Sequence, residues 1–109
     1  MISLVQEQPL RLVDLVSPLG VAGTPMGIRI GIAAVLEEFA GSPAFAPAIQ
    51  PLLALLQADS ALVRLDACHL LGLSGDEHVR PAISALLQDP DPEVREVARE
   101  SLDGLDGDD

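Results

Sequence analysis

The spacing of apolar residues predicts helices along the chain. Near the C-terminus, apolar or small side chains recur every three or four residues, and acidic or basic residues fill the positions between them. The members of this stripe are Val94, Val97, Ala98, Ser101, Leu102 and Leu105. Such spacing places them on one face of an α-helix. No segment shows the sustained period-two alternation of a strand, so the sequence predicts an all-α fold.

The stripe belongs to a repeated segment. Leu55-Leu56-Gln57 recurs as Leu86-Leu87-Gln88, and Val63-Arg64 recurs as Val94-Arg95, both after 31 residues. A more diverged copy places Ile28-Arg29 on Val63-Arg64, 35 residues earlier. Repeats of this length are typical of stacked helical hairpins. We therefore predict one domain over residues 1–105, with repeats at about 1–41, 42–75 and 76–105, followed by an acidic tail over 106–109.

Each repeat is predicted to contain two antiparallel helices. The first helices of the three repeats fall at about 4–17, 44–57 and 77–88. The second helices carry three apolar stripes: Ile28, Ile32, Val35, Leu36 and Phe39; Val63, Ala67, Leu70 and Leu71; and the C-terminal stripe given above. Side-chain acceptors at Thr24, Ser42, Asp59, Asp76 and Asp91 are expected to cap helix starts, and Gly41, Gly75 and Gly104 to follow helix ends.

The second and third repeats resemble a known family. The segment Asp59-Ser-Ala-Leu-Val-Arg-Leu-Asp-Ala-Cys-His-Leu-Leu-Gly and its copy from Asp89 resemble the HEAT repeat, in the short variety found in phycobilisome lyases and related scaffolds. The resemblance covers residues 46–105 well and residues 1–40 loosely. It implies an α-solenoid of three antiparallel helix pairs, wound into a right-handed superhelix whose second helices line the inner surface.

The resemblance also implies a role for acids in the turns. In this family the turn acid and the following arginine bond along the stack. Here that pattern pairs Asp59 with Arg64, and either Asp89 or Asp91 with Arg95, whereas Arg29 has no matching acid. Guanidinium groups suit carboxylate and carbonyl acceptors, so we expect Arg64 and Arg95 to be structural. The alternative is that they bind an anionic ligand on the inner face.

Composition narrows the function further. The apolar content of 49% excludes a disordered chain, although two Phe are the only aromatic residues. The single cysteine excludes a disulfide scaffold. The net charge of -11 argues against binding to nucleic acid or to anionic membranes. With neither a leader nor a membrane span evident, we expect a cytoplasmic protein.

The sequence offers little catalytic chemistry. Cys68 and His69 are neighbours on one helix and diverge by about 100°, so they are poorly placed to share a proton or a metal ion. His78 follows Glu77, the reverse of the His-Glu dipeptide by which one branch of the family holds iron. The glycines between Gly20 and Gly27 lack the strand and lysine of a phosphate-binding loop. We predict no enzymatic activity, metal or cofactor.

Asp66 stands out because the equivalent position of the next repeat is the apolar Val97. An unpaired carboxylate facing a core is costly, so we expect it to pair with Arg29 or Arg99 or to lie at the edge of the stripe. The alternative is a polar feature of a binding surface.

The first repeat is predicted to contact another molecule. Its first helix is apolar on more than one side, including Leu12 and Val16, whereas the last helix is strongly acidic. Such a patch favours docking against a second copy of this chain or a partner protein. The alternative is that the first helix folds back and residues 17–27 cover it. The predicted contact residues are Leu12, Val16, Arg29, Arg64, Asp66 and Arg95.

These observations favour a non-enzymatic scaffold or adaptor that binds another protein through its first repeat or its inner face. The acidic C-terminal half favours a partner with a basic surface. The alternative, from the same resemblance, is a ligand handler like the bilin lyases or an assembly chaperone.

Overall fold

The chain forms short helices joined by tight turns. A computed structural model describes the backbone of residues 12–21 and 23–106 and the side chains of residues 16–21 and 23–106. Over these residues the six α-helices are α1 (Leu12–Leu19), α2 (Met26–Phe39), α3 (Ala46–Leu55), α4 (Ala61–Ser74), α5 (Arg80–Ala85) and α6 (Pro92–Asp106). One 3₁₀ segment, Pro43–Phe45, leads into α3, and two others, Glu77–Val79 and Leu86–Gln88, flank α5. This part of the chain contains no strand, which confirms the all-α prediction.

The helices pack as three hairpins in two layers. Helix α1 packs on α2, α3 on α4 and α5 on α6, and these pairs are the hairpins. Neighbouring hairpins meet through α1 against α3 in the first layer, and through α2 against α4 and α4 against α6 in the second. Each hairpin therefore contacts its neighbour in sequence, as in an α-solenoid.

The core of the second and third repeats is aliphatic and follows the predicted stripes. Val63 is 1% exposed and Val94 is fully buried, so both point inward as expected. The other fully buried side chains include Leu36, Leu52, Ala67, Leu70, Leu71, Val79, Ile83 and Ala98. Because these residues come from all three hairpins, one continuous core joins the repeats.

The stripe predicted for α2 is wrong on one side. Ile28, Val35 and Phe39 are 53%, 41% and 40% exposed, whereas Arg29 and Leu36 are buried. The side of α2 that carries these three residues has no described helix packed against it. The corresponding residues of α4, Val63 and Leu70, are buried.

Several predicted helix boundaries are confirmed by hydrogen bonds. The Asp91 carboxylate accepts the amides of Glu93 and Val94 at the start of α6, at 2.8 and 3.3 Å. The Asp76 carboxylate accepts the amide of His78 at 2.8 Å. Gly75 ends α4 with a φ of 74°, a left-handed conformation that glycine adopts without strain.

Other predicted boundaries are wrong. The hydroxyls of Thr24 and Ser42 do not cap the following helices; they donate to the carbonyls of Pro18 and Phe39, at 2.7 and 2.8 Å. Those carbonyls lie in the last turn of the preceding helix, where no intrahelical donor is available. The start of α4 is capped by Ser60 rather than by Asp59. Gly104 lies within α6 instead of beyond its end.

None of the helices described here is long and apolar enough to cross a membrane.

Candidate functional site

Three arginines occupy the same place in the three second helices. Arg29, Arg64 and Arg95 are each the fourth residue of α2, α4 and α6. In each case Nη1 donates to a backbone carbonyl in the preceding loop: Val21 O at 3.0 Å, Ala58 O at 2.8 Å and Asp89 O at 2.6 Å. Each guanidinium therefore fixes the turn that leads into its own helix.

Two of these arginines also join one repeat to the next. Arg29 donates from Nε and Nη2 to Asp66 Oδ2, at 3.2 and 2.8 Å. Arg64 donates from the same two nitrogens to Asp89, with Nε to Oδ2 at 2.8 Å and Nη2 to Oδ1 at 3.1 Å. Charge-assisted bonds of this kind are strong and directional, so they set the position of each hairpin on its neighbour.

Burial makes these pairs more than surface contacts. The Arg29 side chain is 2% exposed and that of Asp66 is 22% exposed. Burial opposes ionisation of Asp89, but the bonds from Arg64 and from the Asp91 amide outweigh it and lower the pKa of Asp89. The bond to Asp89 in turn raises the pKa of Arg64. Both groups are therefore charged at neutral pH.

The structure corrects three expected pairings and confirms one. Asp66 pairs with Arg29, as predicted, so the expectation that Arg29 lacks a matching acid is wrong. Arg64 takes the backbone carbonyl of Asp59 at 3.0 Å rather than its carboxylate, and its carboxylate partner is Asp89 of the next repeat. Asp89 also provides the acceptor for Arg95, through its carbonyl. For Arg29 and Arg64, the carboxylate that bonds the arginine comes from the following hairpin.

The predicted contact residues are mostly engaged inside the molecule. Arg29 is buried in its ion pair with Asp66. Arg64 donates hydrogen bonds to the turn before α4 and to the Asp89 carboxylate. Val16 is 3% exposed in the core, because α1 packs against α2 and α3. The side chain of Leu12 lies outside the described residues. Arg95 is half-buried.

Acid should weaken the junction between the second and third repeats. Because the folded-state pKa of Asp89 is lowered, its stabilisation is complete above the usual aspartate pKa of about 3.9 and is lost as pH falls through the lower folded value. We therefore expect Asp89→Asn to lower the Tm clearly at neutral pH and progressively less below about pH 4.

Thermal unfolding followed by circular dichroism across this pH range measures the effect. Asp103→Asn, which removes one exposed carboxylate from α6, is the control for net charge. A gap between wild type and Asp89→Asn that stays constant down to acid would contradict the assignment.

A groove lies between the second helices α4 and α6. Its volume is about 150 Å³ and its lining residues are His69, Gly72, Leu73, Glu100, Ser101 and Gly104. The helices approach closely because Gly72 has no side chain: a Cβ there would lie 2.5 Å from Ser101 Cβ. The Ser101 hydroxyl donates to the Cys68 carbonyl at 3.3 Å, which fixes the same contact.

The walls of the groove combine apolar and charged groups. Leu73 is 46% exposed at one side. His69 Nε2 lies 3.1 Å from Glu37 Oε2, linking α4 to α2. On α6, Glu100 lines the groove, and Glu93, Glu96 and Asp103 are exposed on the same side of the helix. Nothing in the sequence singled out Gly72 or the groove, since the repeat alignment matches Gly72 to the exposed Asp103.

The one thiol is not a reactive group at neutral pH. Cys68 is fully buried, and burial raises its pKa to about 11. A thiol in that state is protonated, whereas the nucleophile is the thiolate. Among the described side chains, no group of three or more His, Cys, Asp or Glu residues is arranged to hold a metal ion.

Comparison with known proteins agrees with the stacked helical hairpins. No curated protein sequence matches the chain significantly. A family profile described as HEAT repeats matches residues 49–109, more than half of the chain. The narrower resemblance to the phycobilisome lyase type stays a prediction. With its matched repeats and its solenoid of helical hairpins, the chain belongs to the HEAT repeat family.

Proposed function

We propose that this chain is a non-enzymatic scaffold module that binds a basic, amphipathic segment of another protein in the groove between α4 and α6. The observation that carries the proposal is the groove itself, whose lining includes the exposed Leu73 on α4 and the exposed Glu100 on α6. HEAT repeats generally mediate contacts between proteins, which supports a partner of this class.

The apolar part of the proposed site lies on α4. Leu73 lines the groove from this helix and is 46% exposed. A partner helix that lays an apolar side chain beside Leu73 would remove this surface from water, which is favourable.

The charged part of the proposed site lies on α6. Its four acids (Glu93, Glu96, Glu100 and Asp103) are exposed along one side, and the chain carries 17 acids against six basic residues. A single cation, Arg99, pairs with Glu96 at 2.7 Å in this row. Lysine or arginine side chains of a partner would find complementary potential here, which favours encounter and orientation more than raw affinity.

The proposal assigns the chain no catalytic role. The neutral Cys68 thiol and the engaged arginines support binding rather than chemistry. A single free cysteine fits a reducing compartment, so we place the activity in the cytoplasm.

A labelled model peptide tests the site. We expect a labelled helical peptide with leucines on one face and lysines on the other to bind, which raises its fluorescence anisotropy. Leu73→Ala should weaken this binding about five- to tenfold. Glu100→Gln should weaken it about threefold at low salt, because it removes one complementary charge.

The controls separate this site from non-specific adhesion. A peptide with glutamate in place of lysine should not bind, and Glu38→Gln, which removes an exposed charge from α2, should leave the affinity unchanged. Equal binding of both peptides, or an effect of Glu38→Gln as large as that of Glu100→Gln, would exclude the groove as the binding site.

A further inference from the structure

A histidine forms part of the wall of the groove between α4 and α6. His69 lines this groove together with Leu73 of the same helix and Glu100 of α6. Its side chain is 48% exposed, so a ligand in the groove reaches it. On the other side, His69 Nε2 lies 3.1 Å from Glu37 Oε2. The imidazole therefore contacts a carboxylate of α2 and shares a groove with a carboxylate of α6.

The helices packed on α4 bring no cation to this groove. Helices α1, α2, α3 and α6 contact α4. Helix α3 contains no titratable residue, and neither do the described side chains of α1. Arg29 of α2 is held by Asp66, and Arg64 of α4 itself is held by Asp89. The remaining charged residues of these helices, none of which lines the groove, are Glu38 on α2 and Glu93, Arg95, Glu96, Arg99, Asp103 and Asp106 on α6.

The charge of the groove therefore depends on the imidazole. Histidine is the side chain whose charge ordinarily changes between pH 5 and 8. With a neutral ring, the Glu100 carboxylate gives the groove a negative charge, and Glu37 adds to the negative potential from α2. A protonated ring places a positive charge in the same wall, and the Glu37 carboxylate holds it there through a charge-assisted hydrogen bond.

We propose that His69 makes the groove a pH-dependent binding site, in which a basic segment binds beside the neutral imidazole and is released when the ring is protonated. This inference rests on the proposed function, because it concerns the same groove. The reason is repulsion between like charges: a lysine or arginine of the partner beside Glu100 and an imidazolium would share a space of about 150 Å³. By linkage, the bound segment disfavours protonation of the ring to the same extent.

Fluorescence anisotropy with the leucine–lysine peptide at pH 7.5 and 5.5 and constant ionic strength tests the switch. This window spans the usual histidine pKa of about 6.5 and lies above the usual glutamate pKa of about 4.3. The peptide has blocked ends, so nothing in it titrates there. We expect affinity to fall about fivefold or more at the lower pH, because one like charge is added to the groove. His69→Gln should reduce this ratio to less than about twofold, since glutamine carries no titrating charge.

The matched control is His78→Gln, which removes the other histidine of the chain. His78 is 96% exposed, pairs with Asp76 at 2.9 Å and lies outside the groove lining, so its loss should leave the pH dependence unchanged. Circular dichroism at pH 5.5 checks that each variant is folded. An NMR titration of the imidazole signals gives a second measurement: saturating peptide should lower the midpoint of His69 by about half a pH unit or more and leave that of His78 in place.

The outcomes separate the switch from the groove itself. Equal binding at both pH values, a pH dependence that persists in His69→Gln, or a His69 midpoint that the peptide does not move would overturn the switch and leave the binding groove standing. Absence of binding at either pH would overturn both proposals.

Discussion

Replacing Asp66 by alanine is expected to lower the free energy of unfolding by about 3 kcal/mol, the lower end of the range for breaking a buried ion pair. The lower end applies because Asp66 is 22% exposed, which lets water screen part of the charge. The loss would leave the Arg29 guanidinium, 2% exposed, with only the Val21 carbonyl as a described partner. Urea unfolding followed by circular dichroism measures the change.

Two further variants show whether the buried charge is the cause. Arg29→Met combined with Asp66→Ala removes both charges, so we expect it to recover most of the stability lost in Asp66→Ala alone. Glu96→Ala breaks an ion pair with Arg99 whose side chains are both more than half exposed, and it should cost less than about 1 kcal/mol. If Asp66→Ala costs no more than Glu96→Ala, the pair is not a structural element.

The Arg29–Asp66 pair orients the first repeat. Arg29 holds the loop before α2 through Val21 and holds α2 on α4 through Asp66. The buried charge therefore fixes how α2 packs on α4. The sequence alone predicted the pairing of Asp66, since a carboxylate in an apolar stripe requires a cation.

The fold was predictable because its information is local and repeated. Each apolar stripe specifies a helix by its spacing, and copies 31 residues apart specify hairpins of the same kind. The stripe of α2 was misread because the inward position of Ile28 was inferred from its counterpart Val63, which is 1% exposed, whereas Ile28 is 53% exposed. The repeat pattern predicts on which side of a helix a residue lies, but it does not predict which part of the chain buries that side.

The contacts across repeats were less predictable. Arg64 was matched to Asp59, five residues away, but its carboxylate partner is Asp89, 25 residues away. Sequence spacing indicates which groups share a turn, whereas the stacking of the hairpins decides which carboxylate forms an ion pair with each arginine. The close approach of α4 and α6 at Gly72 could not be predicted from the sequence either, because it depends on which residue of α6 lies opposite this glycine.

Replacing Gly72 by alanine is expected to lower the free energy of unfolding by about 2–3 kcal/mol, although alanine is the better helix former. The new methyl group would lie 2.5 Å from Ser101 Cβ and 3.0 Å from Ser101 Cα. Rotation of the serine side chain relieves neither contact, so α4 and α6 must separate. Since these helices form the groove, peptide affinity should fall together with stability.

Gly104→Ala is the matched control, because Gly104 lines the same groove on α6 but a Cβ there meets nothing within 4 Å. It should leave stability unchanged or raise it by up to about 1 kcal/mol through helix propensity. Ser101→Gly in the Gly72→Ala background should restore part of the loss, since it removes the nearest atoms. Equal effects of Gly72→Ala and Gly104→Ala in urea unfolding would show that the helices do not depend on this contact. In that case the groove would owe its shape to the surrounding aliphatic core, and its binding would survive substitution at Gly72.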